Sequence, residues 1–420
     1  MAKLKRELGL LSTTIFGIAV IVGAGIYSLI GVATAMAGSG VWLSFIIAAL
    51  VAALTALSFA ELASMFTGAG SSYLYVFKGM RSRLFGFITG WLILFETVVG
   101  VAAISMAFGG YFASLIPVPI MAAALGIIVI LSLVNLIGIK ESASLNNIFF
   151  VMEMGGLIFI IIAGLLLGHA NPGLFDFQPV PVLSGAALVF FAMLGFEMIA
   201  SESEEAKDAS RTIPYAILLS IGICAVLYAL FAIASLMLVG PEILGASTAP
   251  VRDVVFPILG EYSFIFSIIA LASTASTVLI CLITASRLSY GMAKDKTLPH
   301  LLSAVNSKFR TPHLAVAAAL LVSVAFLLIA NMVIIAEVTN FAALAAFFLI
   351  NVSAIMLRRR EPDAKRPFKM PFAIANIPIP AVLGAVSSLF LIAFLSREAM
   401  IYGTGLIILG AVVHLLMPKK

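Results

Sequence analysis

The chain has 420 residues, of which 63% are hydrophobic and 10% charged, with a formal net charge of +5. Soluble domains carry about a quarter charged residues, so this composition excludes one and describes a chain whose solvent is lipid. The excess positive charge reports orientation and attraction to anionic headgroups and gives no case for nucleic-acid binding.

A helix needs roughly 20 apolar residues to cross the hydrocarbon core. Such runs fall at 10–36, 40–63, 84–115, 120–139, 146–168, 184–201, 213–239, 258–291, 313–331, 333–357, 378–396 and 398–417. Lipid offers no partner for backbone groups, so runs of this length are helices; barrel strands would be about ten residues long and alternate. The expected fold is an all-α polytopic membrane protein of twelve transmembrane helices. The first run is too long for a signal-peptide core and is read as span 1.

Of the 24 Lys and Arg residues, 22 fall on the N-terminal side of these spans, including Lys3, Lys5, Arg6, Lys140, Lys419 and Lys420. Arg252 and Arg397 alone lie opposite. Both termini are therefore expected in the cytoplasm, and the RRREPDAKRPFK run reads as an orienting loop. Cys224 and Cys281 sit inside spans and suggest neither a disulfide nor a metal knuckle.

Span 1 places Gly-Ala-Gly at its centre, in VIVGAGIY (Val20 to Tyr27). Small residues there can serve close helix packing. Span 6 has the same peculiarity in FFAMLGFEMI (Phe190 to Ile199), with Glu197 two residues after the glycine. Two interrupted spans five helices apart suggest inverted repeats, 1–168 for spans 1 to 5 and 184–357 for spans 6 to 10, with 378–420 as an accessory pair.

Such breaks free backbone groups. The N–H groups of Ala24, Gly25 and Ile26 would begin a new half-helix and suit a carboxylate. Carbonyls near Ile21 and Val22, and those of Phe191, Ala192 and Leu194, would gather acceptors for an ammonium. Two opposite poles a short distance apart describe an α-amino acid.

Spans 3, 5 and 6 bury Glu96, Glu153 and Glu197 with no Lys or Arg at similar depth. An ionised acid at the bilayer centre costs about 2.5 to 3.5 kcal/mol on insertion scales, so each is expected to bind a proton, backbone donors or an incoming cation. Glu153 is a candidate for proton binding, for sodium ligation with Ser273, Ser276 or Thr277, or for a structural hydrogen bond. Glu197 is a candidate gate, proton carrier or support for the unwound backbone. Glu96, Val101, Met193 and Phe196 are candidate selectivity residues. Glu61 and Glu337 lie near span ends, where water is expected to reach them. His169, His300, His313 and His414 are scattered, so no catalytic or metal cluster emerges and an enzyme is not expected.

Six segments in order are similar to the amino acid–polyamine–organocation permeases. They are IVGAGIY with ATAMAG, ALSFAELASMFTGAGSSYLYV, GWLILFETVVGVAAISMAFGGYF, FFAMLGFEMIASESEEAKDASRTIPYAI, ASRLSYGMAKDKTLP and LINVSAIMLRRREPDAKRPFKMP. The resemblance implies the five-plus-five fold of sodium-coupled amino acid transporters. It also implies ligand-binding breaks at Ile21, Gly23, Ala24 and Gly25 and at Phe191, Leu194 and Glu197, with Glu96 matching the acid seen in span 3 of cationic permeases. This chain departs from the family at Asp208-Ala209, where Asn-Pro is usual, and at Glu153, where several branches carry a lysine in place of a sodium ion.

The expected function is secondary active transport of an amino acid across the cell membrane, with spans 1, 2, 6 and 7 rocking against 3, 4, 8 and 9. Protons are the expected coupling ion and sodium the second candidate; exchange of one amino acid or amine for another without ion coupling and amino acid sensing without transport are the alternatives. No cofactor is expected, and the protein would act as a monomer or homodimer in lipid.

Overall fold

The computed structural model describes residues 9–66, 71–138, 143–169, 172–200 and 206–417. Lys3, Lys5, Arg6, Lys140, Lys419 and Lys420 of the charge pattern, and Glu204 and Glu205 of the span 6 motif, lie outside the described residues.

Helix α1 (Leu10–Ala37) is interrupted at Gly23, and α2 (Val41–Met65) follows through a short turn opened by Gly38 at φ 57°. A ten-residue helix α3 (Ser71–Met80) precedes α4 (Arg83–Ala113), whose first turn is capped by the Ser82 side chain accepting from the Phe85 amide. Then come α5 (Ile120–Ile137) and α6 (Ala143–Leu167). Helix α7 (Pro179–Val189) is separated from the short α8 (Phe196–Ile199) by a tighter turn at Phe190–Met193 and an extended Leu194. Beyond it lie α9 (Ala209–Ala246), α10 (Pro250–Leu259), α11 (Phe264–Lys294), α12 (His313–Leu327) and α13 (Met332–Arg360). A two-stranded hairpin, β1 (Ala373–Ile374) with β2 (Ile377–Pro378), leads into α14 (Ile379–Ile392) and α15 (Arg397–Leu416).

Helix occupies the expected apolar runs with shifted edges. Among the described residues, nine helical stretches are long and apolar enough to cross a membrane, and His313–Leu327 and Ile379–Ile392 are shorter apolar helices. Span 6 begins at Pro179 and not at 184, because a proline at N1 is preorganised to start a helix. Span 8 begins at Phe264 and not at 258: Gly260 at φ 53° separates α10 from α11. Helix α9 bends at Gly240 (φ 75°) beside Pro241, a pair that both permits and requires the bend.

Packing places the two interrupted helices at the centre. Helix α1 lies along α9 and α7, α2 lies along α9, and α4 runs through the middle against α13, α11 and α5. Small residues allow close approach, as where a Cβ added to Gly164 of α6 would fall 2.6 Å from the Ala234 backbone of α9. Large apolar side chains such as Leu50, Ile130, Val151 and Leu416 face outward, as a lipid-facing surface requires.

The ends of the bundle hold more structure than an orienting loop demands. Glu61 is 2% exposed and pairs with Arg358 and Arg366, both buried, so the expected contact with water is corrected. Glu337 is equally buried, and its carboxylate accepts from the Ser396 amide at 3.1 Å. Arg358 and Arg366 of the basic run are thus internal counter-ions, drawn in because a buried carboxylate needs them.

Candidate functional site

Gly23 sits at the middle of α1 with φ 6° and ψ −136°, values outside any helix. The second break turns at Gly195, whose φ of 109° is a left-handed conformation that glycine adopts without steric cost. The two breaks touch. A Cβ on Gly25 would lie 2.6 Å from Ala192 Cα, and one on Gly195 would lie 2.7 Å from Val20 Cγ1. Glycine at both positions is what lets main chain meet main chain.

One cavity of about 560 Å³ opens between them, within the usual range of about 300–1,000 Å³ for small-molecule sites. Its walls include Ile21, Gly23 and Gly25 of α1, Phe191, Leu194, Gly195 and Glu197 of the second break, and Glu153 of α6. Glu96, Thr97, Gly100 and Ile104 of α4, Ser276, Thr277 and Cys281 of α11, and Thr339 of α13 complete them. The cavity reaches Ser12, Ile15 and Phe16, which are exposed in the first two turns of α1. At its other end a chain of tyrosines closes the bundle. The Tyr27 hydroxyl donates to the Glu153 carbonyl at 2.6 Å, Tyr111 donates to the Tyr27 carbonyl at 2.7 Å, and the Val251 amide donates to the Tyr111 hydroxyl at 3.4 Å.

The three membrane glutamates all face this cavity, and no Lys, Arg or His among the described residues lines it. Glu197 accepts from the Gly195 amide through both carboxylate oxygens, at 3.0 and 3.1 Å, and so holds the turn that forms the break. Glu96 is 5% exposed and its Oε2 has no hydrogen-bond partner. Ser273 stands beside the Glu153 carboxylate and donates to the Gly23 carbonyl at 2.9 Å. Among the described residues no group of three His, Cys, Asp or Glu could hold a metal ion.

Of the residues expected from sequence, Ile21, Gly23, Gly25, Phe191, Leu194, Glu197, Glu153, Glu96, Ser276 and Thr277 meet at the cavity. Ser273, Ile26 and Ala192 are buried just behind its wall, and the side chain of Ala24 lies outside the described residues. Val101, Met193 and Phe196 do not line it. All three are fully buried, and Phe196 packs edge-on against Phe59, with centroids 5.4 Å apart, because its neighbour Gly195 turns the chain away. The Ile21 carbonyl is already an acceptor, taking the Tyr228 hydroxyl at 2.7 Å. Sequence reasoning passed over Tyr228, although a phenol in the apolar run CAVLYALF signals a need for a partner. Gly100 and Thr339 gave no such signal.

These features define a multi-pass helical membrane protein with a ligand-sized chamber between two interrupted helices. The chain belongs to the amino acid permease family: the model of the family described as "Amino acid permease" matches residues 8–410. It is 32% identical to the branched-chain amino acid permease BcaP of Bacillus subtilis, over 99% of this chain and 94% of that protein. It is 29% identical to the methylthioribose transporter of the same organism over the same shares, and 30% identical to human cationic amino acid transporter 4 over 84% of this chain and 60% of that one. The family and these relatives are permeases and transporters, not enzymes.

Proposed function

We propose that this protein is a secondary active amino acid permease of the cell membrane, with twelve spans, two inverted repeats and both termini in the cytoplasm. The observation that carries this reading is the meeting of two helix breaks, at Gly23 and at Phe190–Gly195, on one chamber. Amides after Gly23 suit the substrate carboxylate, and the carbonyls of the second break, at Phe191, Ala192 and Leu194, suit its ammonium. The apolar share of the wall, from Ile21, Ile104 and Phe191, suits an aliphatic side chain, in keeping with the branched-chain permease among the relatives. With the termini inside, the structure is an inward-facing state, open past Ser12 and shut at the tyrosine chain.

Coupling is assigned to Glu153. Its carboxyl stands beside Ser273, which bonds the unwound Gly23 carbonyl, so a proton arriving there changes the contacts of the break itself. A coupling ion shifts the two-state equilibrium only through unequal affinity for the two states. The test is uptake of amino acids into proteoliposomes with and without imposed pH and sodium gradients. Concentrative uptake driven by the pH gradient supports the reading. Uptake that follows sodium alone transfers the coupling role to that ion, and saturable binding without any flux rejects transport.

A further inference from the structure

We infer that Asn340 of α13 is a positioning residue for the ammonium pole: it ties down the last turn of α7 and so keeps the carbonyls of the second break in place for the substrate. The inference rests on the reading above, in which that break takes the ammonium, and it names a residue behind the chamber wall.

Ending an α-helix in the middle of a membrane leaves its last carbonyls without their usual amides, and lipid supplies no water to take them. Helix α7 ends in this way at Val189. Two carbonyls of its last turn, those of Ala187 and Leu188, accept from Asn340 Nδ2 at 2.7 and 2.8 Å. A carboxamide nitrogen has two hydrogens, and both are used here. The orientation of the amide follows from these partners, since its oxygen in the same place would face two other oxygens.

That orientation leaves Asn340 Oδ1 without a donor among the described residues, although Asn340 is 0% exposed. Burying an unpaired acceptor is unfavourable, and a leucine of similar volume would avoid it. Packing alone gives no reason for asparagine here. The two donated bonds do.

The neighbours of Asn340 show what those bonds serve. Thr339, one residue earlier, lines the chamber together with Phe191, and both lie against Gly100: a Cβ added there would be 3.6 Å from the Thr339 methyl and 3.8 Å from the Phe191 ring. About two turns further along the same side of α13, the Phe347 ring packs on Phe190, with centroids 6.1 Å apart, and on Phe196 at 5.2 Å. The irregular stretch is therefore wedged at both ends by one ring, while Asn340 holds the polar groups that lead into it. Released from Asn340, the Ala187 and Leu188 carbonyls would draw on other donors of the region, the amides of the break and the substrate ammonium among them. The carboxylate, met by amides of α1, would be untouched.

Equilibrium binding of two ligands to Asn340→Leu and Asn340→Ser tests this. The first is whichever proteinogenic L-amino acid binds the wild type most tightly; the second is the L-2-hydroxy acid with the same side chain, which keeps the carboxylate and has no ammonium. Melting temperatures of the same preparations report folding. In the leucine variant the amino acid is expected to bind about tenfold more weakly while the hydroxy acid binds as it does to the wild type. Serine keeps one donor and is expected to lose about threefold, so it carries the test if the leucine variant does not fold. An equal loss of both ligands, or no loss of either, overturns the assignment and leaves the permease reading standing. A wild type that binds no amino acid, or the hydroxy acid just as tightly, removes the ammonium pole from the second break and the role of Asn340 with it.

Discussion

Tyr228 of α9 donates its hydroxyl to the carbonyl of Ile21, 2.7 Å away, and so occupies an acceptor that the break in α1 would otherwise leave bare. Tyr228 is fully buried, its ring edge-on to Phe45 at 5.7 Å. Tyr228→Phe keeps the packing and orphans the carbonyl, which costs about 1–3 kcal/mol for a buried acceptor. The expected result is a lower melting temperature in detergent and substrate affinity weakened by about tenfold, for about 1.4 kcal/mol. Thermal unfolding and equilibrium binding on the same preparation check both.

Gly25→Ala separates the two breaks. Its methyl would meet Ala192 Cα at 2.6 Å, and backbone cannot rotate out of the way as a side chain can. The bundle is expected to keep its helix content by circular dichroism while amino acid binding falls by more than tenfold. Unimpaired binding would mean that the main-chain contact at the chamber is incidental.

Glu153→Gln keeps the shape of the carboxyl and removes its charge and its proton. If Glu153 carries the coupling proton inward with substrate, wild-type uptake rises as the external pH falls. The variant is expected to bind substrate, to exchange it, and to lose that dependence. A pH profile parallel to that of the wild type moves the coupling role elsewhere.

Tyr27→Phe cuts the bond to the Glu153 carbonyl and loosens the closed end of the bundle. Opening there becomes more frequent, so a cysteine placed at Ile104 in the chamber wall, with Cys281 of the same wall changed to serine, should react severalfold faster with an impermeant thiol reagent added on that side. Equal rates would show that the tyrosine chain is not a gate.

The Glu61 cluster separates two kinds of loss. Glu61→Gln leaves Arg358 and Arg366 without a counter-ion, and breaking a buried pair in this way costs about 3–5 kcal/mol. Replacing Glu61, Arg358 and Arg366 together by leucine removes the charges as a set and is expected to destabilise far less than the single change. Melting temperatures of the two variants decide it.

The apolar runs made the helices legible, because lipid forces backbone bonds to close within each segment. The breaks were legible for a related reason. A glycine at the centre of a span, repeated five helices later, is a pattern that packing alone does not demand. Edges were less so: Pro179 and Gly260 moved two helix starts by local turn chemistry that hydropathy does not register. Burial at the bundle ends was also hidden, since Arg358 and Arg366 read as orienting charges until a carboxylate 297 positions from Arg358 is seen to claim both. Of the selectivity candidates only Glu96 reaches the chamber, because direction around a helix next to a break does not follow from spacing. Gly100 and Thr339 could be found only once α4 and α13 were set side by side.

The central claim is that main-chain poles at the two breaks hold the ammonium and the carboxylate of one amino acid. Thermal stabilisation of the purified protein by an L-amino acid, its methyl ester and its N-acetyl derivative tests that most directly. Stabilisation by the free amino acid alone is the predicted result. Equal stabilisation by either blocked form would contradict it.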